Sequence, residues 1–89
     1  ISHYRKAVPG LIEYTKNNPD YSDGFYLLGN TYVGLEQFGN AITAYRKCLE
    51  LNPTFAKAIR NLGLMYVLLK DKKSAREQYD LLVKLDPSL

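Results

Sequence analysis

The sequence predicts an all-α fold in which a helical hairpin is used more than once, giving five helices. Three observations carry that prediction. First, the stretch from Ser22 to Phe55 recurs 34 residues further on, so that Leu28, Gly29, Tyr32, Val33 and Leu35 return as Leu62, Gly63, Tyr66, Val67 and Leu69. Second, two columns occur three times, Ala7, Ala41 and Ala75 in one and Pro19, Pro53 and Pro87 in the other. Third, apolar residues between the breaks return at three- and four-residue steps, the period of an amphipathic helix. Self-similarity at a fixed period in this range marks stacked supersecondary units, each burying its apolar face on the next. Residues 1–89 are therefore expected to form one domain, with a half repeat at 1–21 holding a second helix only and full repeats at 22–55 and 56–89.

The elements follow in order. Tyr4, Ala7, Val8, Leu11, Ile12 and Thr15 line one side of a first helix. Pro9 deletes a backbone donor and crowds the preceding turn, which predicts a kink or a later helix start. Asn17, Asn18, Pro19 and Asp20 end that helix, because Asn and Asp favour turns and the residue before a proline is pushed out of helical angles. A second helix is expected from Ser22 to Leu35, with Phe25, Leu28, Gly29, Tyr32 and Leu35 as its core stripe. Glu36 and Gln37 then make a turn so tight that the third helix must run back antiparallel. Its apolar face is Phe38, Ala41, Ile42, Tyr45, Cys48, Leu49 and Leu51. Asn52 and Pro53 repeat the break, with Asn52 or Thr54 as cap of the fourth helix and Pro53 in its first turn. That helix is expected to run to Leu69, and a fifth from Lys72 to Leu85, with Asp71 as its cap. Glycine costs roughly 1 kcal/mol in a helix interior, so Gly29 and Gly63 imply close packing, and the expected neighbours are Ala41 and Ala75.

Composition narrows the function. A chain that is 46% hydrophobic and 24% charged is globular rather than disordered. No apolar run approaches the roughly 20 residues of a membrane span, and the N-terminus lacks a signal-peptide layout. A soluble, cytoplasmic piece of something longer is the expectation. The single cysteine, Cys48, excludes an internal disulfide framework and a multi-thiolate metal site. The formal charge of +3 is unevenly spread. Arg46, Lys47, Lys57, Arg60, Lys70, Lys72, Lys73 and Arg76 face only Glu50 and Asp71 within their span, which fits an acidic partner.

The columns resemble the tetratricopeptide repeat family. Its pattern of a large residue, Leu-Gly, Tyr, a small Ala, an aromatic and a closing Pro stands here as Phe25, Leu28, Gly29, Tyr32, Ala41, Tyr45 and Pro53. In the next unit it stands as Ile59, Leu62, Gly63, Tyr66, Ala75, Tyr79 and Pro87. The departures are Ile59 for an aromatic, Lys72 for the aromatic that opens the second helix, and Cys48 and Leu82 for a small residue. The resemblance implies a right-handed α-solenoid whose concave face, lined by the first helix of each pair, holds a peptide or helix of a partner protein. Carried over by position, the groove residues are Asp23, Tyr26, Asn30, Val33 and Gly34, then Lys57, Arg60, Leu64, Val67 and Leu68. Helical geometry agrees for Tyr26, Asn30 and Val33, which lie roughly 130° round from the core stripe. A subset of the family holds a chaperone's C-terminal carboxylate in a clamp of Lys, Asn and Arg. Asn30 matches one clamp position and Arg60 can stand for a Lys, whereas Tyr26 and Leu64 replace other groups.

The run Leu62 to Leu69 has no polar face, and a helix apolar all round must be covered on every side. The core accounts for Leu62, Tyr66 and Leu69, which leaves Leu64, Val67 and Leu68 to floor a groove or to meet a neighbouring repeat. Lys70, Asp71, Lys72 and Lys73 make a basic turn, but such runs are ordinarily solvated, which argues against nucleic acid. No catalytic residue, metal site or cofactor is expected. His3 stands alone near the start, and Cys48 occupies a packing column with no base beside it. Gly24 to Thr31 has the glycine spacing of a phosphate loop without its lysine or its preceding strand. The expected function is therefore a protein-interaction scaffold. The alternative is a homo-oligomer formed through Tyr79, Leu82 and Val83, which the last helix leaves under-covered.

Overall fold

The structure, a computed structural model, describes residues 2–86 and 88. Pro87, the third member of the proline column, lies outside them. Five helices form: α1 (Ser2–Asn17), α2 (Ser22–Gly34), α3 (Phe38–Leu51), α4 (Ala56–Leu68) and α5 (Lys72–Leu85). Each packs chiefly on its neighbours in sequence, α1 on α2, α2 on α3, α3 on α4 and α4 on α5. That contact order is what an α-solenoid requires. The extents of 36 × 27 × 18 Å and a radius of gyration of 13.0 Å describe a short slab, a little more extended than the ~12 Å of a compact globule of this size.

The two hairpin turns are built alike. Leu35 and Leu69 cap α2 and α4, and the residues that follow, Glu36 and Lys70, take left-handed backbone angles (φ 60° and 62°). Glu36 N–H donates to Val33 C=O at 2.9 Å and Gln37 N–H to Tyr32 C=O at 2.9 Å; the same pair recurs from Lys70 to Val67 at 3.0 Å and from Asp71 to Tyr66 at 2.8 Å. This double bond satisfies carbonyls that a helix end leaves orphaned. Neither turn contains the glycine that usually takes the left-handed position, so both carry a modest backbone cost.

The core runs through the middle of the slab. Ala41, Ile42, Tyr45 and Cys48 of α3 meet Ala58, Leu62, Met65 and Tyr66 of α4 and Ala75 of α5. Thr15 and Thr31 are buried among apolar groups because each hydroxyl bonds back to its own helix, to Ile12 C=O and Leu27 C=O, both at 2.9 Å.

Several local expectations need correction. Of the two outcomes expected at Pro9, the later helix start is excluded, since α1 runs through the proline from Ser2. Phe55 occupies the cap position of α4, with no side-chain cap bond; Asn52 and Thr54 bond each other instead at 3.2 Å, and Pro53 lies in the turn outside the helix. The atoms nearest the glycines belong to residues other than the expected alanines. A Cβ on Gly29 would stand 2.5 Å from the Tyr45 ring, and one on Gly63 would stand 3.3 Å from Gln78 and Tyr79. Leu69 lies in the turn and is exposed, while Met65, 4% exposed, takes the core place assigned to it. Asp71 does cap α5, accepting from Ser74 N–H at 3.1 Å.

Candidate functional site

Helices α2 and α4 stand side by side with α3 behind them, leaving a recess of about 410 Å³. Its lining is Tyr26, Asn30 and Val33 from α2, Tyr45 from α3, and Arg60, Asn61, Leu64 and Met65 from α4. Tyr26, Asn30 and Val33 share a face because they are spaced by four and three residues, and Arg60 and Leu64 do so by four. Five residues expected in a groove are thus brought together. Asp23 and Lys57 are exposed on the first turns of α2 and α4, outside this recess. Val67 and Leu68, 52% and 56% exposed, extend the apolar stripe of Leu64 beyond it. Gly34 does not belong to the recess at all. A Cβ there would stand 2.6 Å from the ring of Tyr4, so the missing side chain lets α1 close on α2.

The recess has rigid walls. Tyr26 stacks on Phe55 with centroids 4.9 Å apart and leans on Tyr45 at 6.1 Å. Tyr45, 1% exposed, donates its hydroxyl hydrogen to Asn30 Oδ1. Burial pushes that phenol up to about 12, so it stays a neutral donor across the usable pH range. Asn61 Nδ2 donates to the same Asn30 oxygen at 3.1 Å and lies 3.4 Å from the Tyr45 hydroxyl. Three helices are therefore joined by one polar knot.

This knot decides what the recess offers. Both bonds to Asn30 use its carbonyl, which leaves its amide hydrogens as donors; Asn61 gives an amide hydrogen to the knot, which leaves its carbonyl as an acceptor. Sequence reasoning missed Asn61. The repeat alignment pairs it with Leu27 and so offers no polar precedent, but its spacing of three residues from Leu64 and four from Met65 placed it on the recess face.

The groups expected to be inert on chemical grounds can be placed as well. Cys48 is fully buried, and burial first, then the Asp23 carboxylate, pushes its thiol up to about 11. Among the described residues no group of three metal-ligating side chains gathers, and no helix is long and apolar enough to cross a membrane. On α5, Tyr79 is half-buried and Val83 is 48% exposed, but Leu82 is buried at 8%, contrary to the expectation that it is under-covered.

Comparisons with known proteins agree with this architecture. Family profiles described as tetratricopeptide repeat match residues 22–55 and 56–89. The chain is 32% identical over 81 residues to a UDP-N-acetylglucosamine–peptide N-acetylglucosaminyltransferase of Giardia intestinalis, covering 91% of this chain and 6% of that protein. It is 27% identical over 88 residues to the Hsp70-Hsp90 organizing protein of Triticum aestivum, covering 99% of this chain and 14% of that protein. The chain thus spans a small part of these relatives. Among solved structures, MamA residues 41 to the end from Desulfovibrio magneticus RS-1 superposes with a TM-score of 0.92 at 34% identity, over 97% of this chain and 49% of that one. With its repeat columns, its stacked hairpins and two successive profile matches in agreement, the chain belongs to the tetratricopeptide repeat family.

Proposed function

We propose that the recess between α2 and α4 captures an extended or helical segment of a partner protein, and that the chain works as an interaction scaffold without chemistry of its own. The observation that carries this reading is the Asn30–Asn61 pair. A donor and an acceptor, both held by Tyr45, sit together in a recess flanked by Val33 and Leu64. They complement the C=O and N–H of a peptide, while Tyr26, Val33 and Leu64 receive its side chains and Arg60 a carboxylate. Helix α1 packs on α2 as well. Relatives named for Hsp70 and Hsp90 favour a chaperone segment as the class of partner.

The test is titration of labelled C-terminal peptides of Hsp70 and Hsp90. Asn61→Ala and Leu64→Ser should each weaken capture about tenfold, equivalent to about 1.4 kcal/mol, with helicity by circular dichroism unchanged. Capture that neither substitution alters would remove the recess from the mechanism. Self-association through α5, with Tyr79, Leu82 and Val83, has one observation behind it: Leu81, Val83 and Leu85 are 44%, 48% and 44% exposed. Buried Leu82 would add little. Sedimentation over a wide concentration range distinguishes the readings, since a dimer that hides the recess would displace the first.

A further inference from the structure

Helix α4 presents two sides. Arg60, Asn61, Leu64 and Met65 line the recess it shares with α2, whereas Ile59, Leu62 and Tyr66 lie roughly 160° round the helix from them, at about 100° per residue. On that far side they floor a second recess, of about 540 Å³, with α3 as one wall and α5 as the other. The floor is apolar and deep, with Ile59 1% and Leu62 2% exposed. Half-buried Leu49 and exposed Pro53 and Leu81 carry the apolar surface up the walls. Two carboxylates line the same recess, Glu50 on α3 and Glu77 on α5. We propose that this recess binds a short segment of another protein in which an arginine or lysine stands beside aliphatic residues.

The helices that continue a stack leave this side open. Ile59, Leu62, Tyr66, Ser74, Glu77 and Leu81 have as equivalents, one repeat earlier, Phe25, Leu28, Tyr32, Asn40, Thr43 and Lys47, which line an open recess of about 330 Å³. There α4 and α5 follow in the chain, and Asn40, Thr43 and Lys47 are still exposed. The next helix packs on another face of α3, formed by Ala41, Tyr45 and Cys48. The same comparison supplies the chemistry. Glu50 and Glu77 stand where the earlier unit has Lys16 and Thr43, and Leu81 stands where it has Lys47. Among the described residues Glu77 takes part in no ion pair, and Glu50 has only Lys47 at 3.3 Å, an exposed contact that contributes little in water. Arg46, the one cation of the lining, is engaged elsewhere: its Nε donates to the Tyr66 hydroxyl at 2.9 Å, and its guanidinium lies 5.6 Å from the centre of that ring. A partner's cation therefore meets two carboxylates, above an apolar floor that its aliphatic neighbours fill. An acidic segment meets repulsion at the same place.

The test titrates the full chain with two labelled, end-capped peptides of about six residues, one with a Leu-Arg-Leu core and one with Leu-Glu-Leu, at low and high salt. The Arg peptide should bind at least about tenfold tighter than the Glu peptide and lose affinity with salt. That preference runs against the chain's overall charge of +3, so only local carboxylates produce it. Glu50→Gln, Glu77→Gln and Leu81→Ser should each weaken the Arg peptide about fivefold or more, whereas Glu13→Gln, the same loss of charge on exposed α1, should leave it within about twofold. Asn61→Ala, which alters the recess between α2 and α4, should also leave it within about twofold, so the two sites are tested separately. Circular dichroism checks that every variant folds. The proposal is overturned by equal binding of the two peptides, by Glu13→Gln weakening binding as much as Glu77→Gln, or by argininamide binding as tightly as the Arg peptide. It is also overturned if Asn61→Ala abolishes binding of the Arg peptide, or if sedimentation shows a dimer that excludes the peptide and that Glu77→Gln dissociates.

Discussion

The hairpins α2–α3 and α4–α5 share a pattern of columns but not a fate, and the difference shows what neighbours contribute. Tyr45 and Tyr79 are the same column. Tyr45 is closed over by α4 and bonded to Asn30, whereas Tyr79 stays half-buried beside an open recess. Gly29 lies hard under the first ring, and a Cβ on Gly63 would stand 3.3 Å from the second, closer than an ordinary contact. Identical residues thus experience different packing, and burial rather than identity sets their energetic weight.

The largest effect should come from emptying these columns. Tyr45→Ala removes a fully buried ring and unties Asn30 and Asn61, so it should cost about 4 kcal/mol, against about 2 kcal/mol for Tyr79→Ala. Urea unfolding of the two variants measures the gap, and equal losses would break the comparison. Next come the glycines. Gly29→Ala must push the Tyr45 ring aside and should cost about 2 kcal/mol, a shift of about 8–16 °C in melting temperature for a domain of this size. Gly63→Ala, where a few tenths of an ångström suffice, should lie within about 0.5 kcal/mol of the parent because gained helix propensity offsets crowding.

A third comparison uses thiols. Cys48 is buried, with its thiol pushed up to about 11, so its labelling at pH 8 should follow global unfolding. Its counterpart is Leu82, 8% exposed on a helix that packs chiefly on α4, and Leu82→Cys should label at least about tenfold faster. The smallest effect concerns caps. Asp71 accepts from Ser74, which holds its carboxyl below the usual carboxylate range. Its contribution is therefore present above the unfolded value of about 3.9 and lost as pH falls through the lower folded value. Asp71→Ala should lower the melting temperature slightly at pH 7 and remove that acid-side dependence. Helix α4, capped by Phe55 with no side-chain bond, offers no such window.

Much of this was legible in the chain. The Leu-Gly and Tyr columns predicted five helices, and the spacing of Tyr26, Asn30 and Val33 predicted a shared face, because both follow from the period of the helix. Asn61 escaped for a physical reason: its role depends on a bond to Asn30, 31 residues away. Likewise, Val67, assigned to a groove with Leu64, lines the recess of the α4–α5 hairpin, whereas Leu64 lines the one between α2 and α4.

The amino-acid sequence by itself determined the helices, their hairpin connections and their order in the stack, since these depend on local spacing, on breaks at proline and asparagine, and on turns too short for any other path. Only the tertiary structure decided which copies of a repeated residue are sealed and which stay open. That depends on what stands on the far side of each helix, and two units with the same pattern carry no record of whether a third surface covers them.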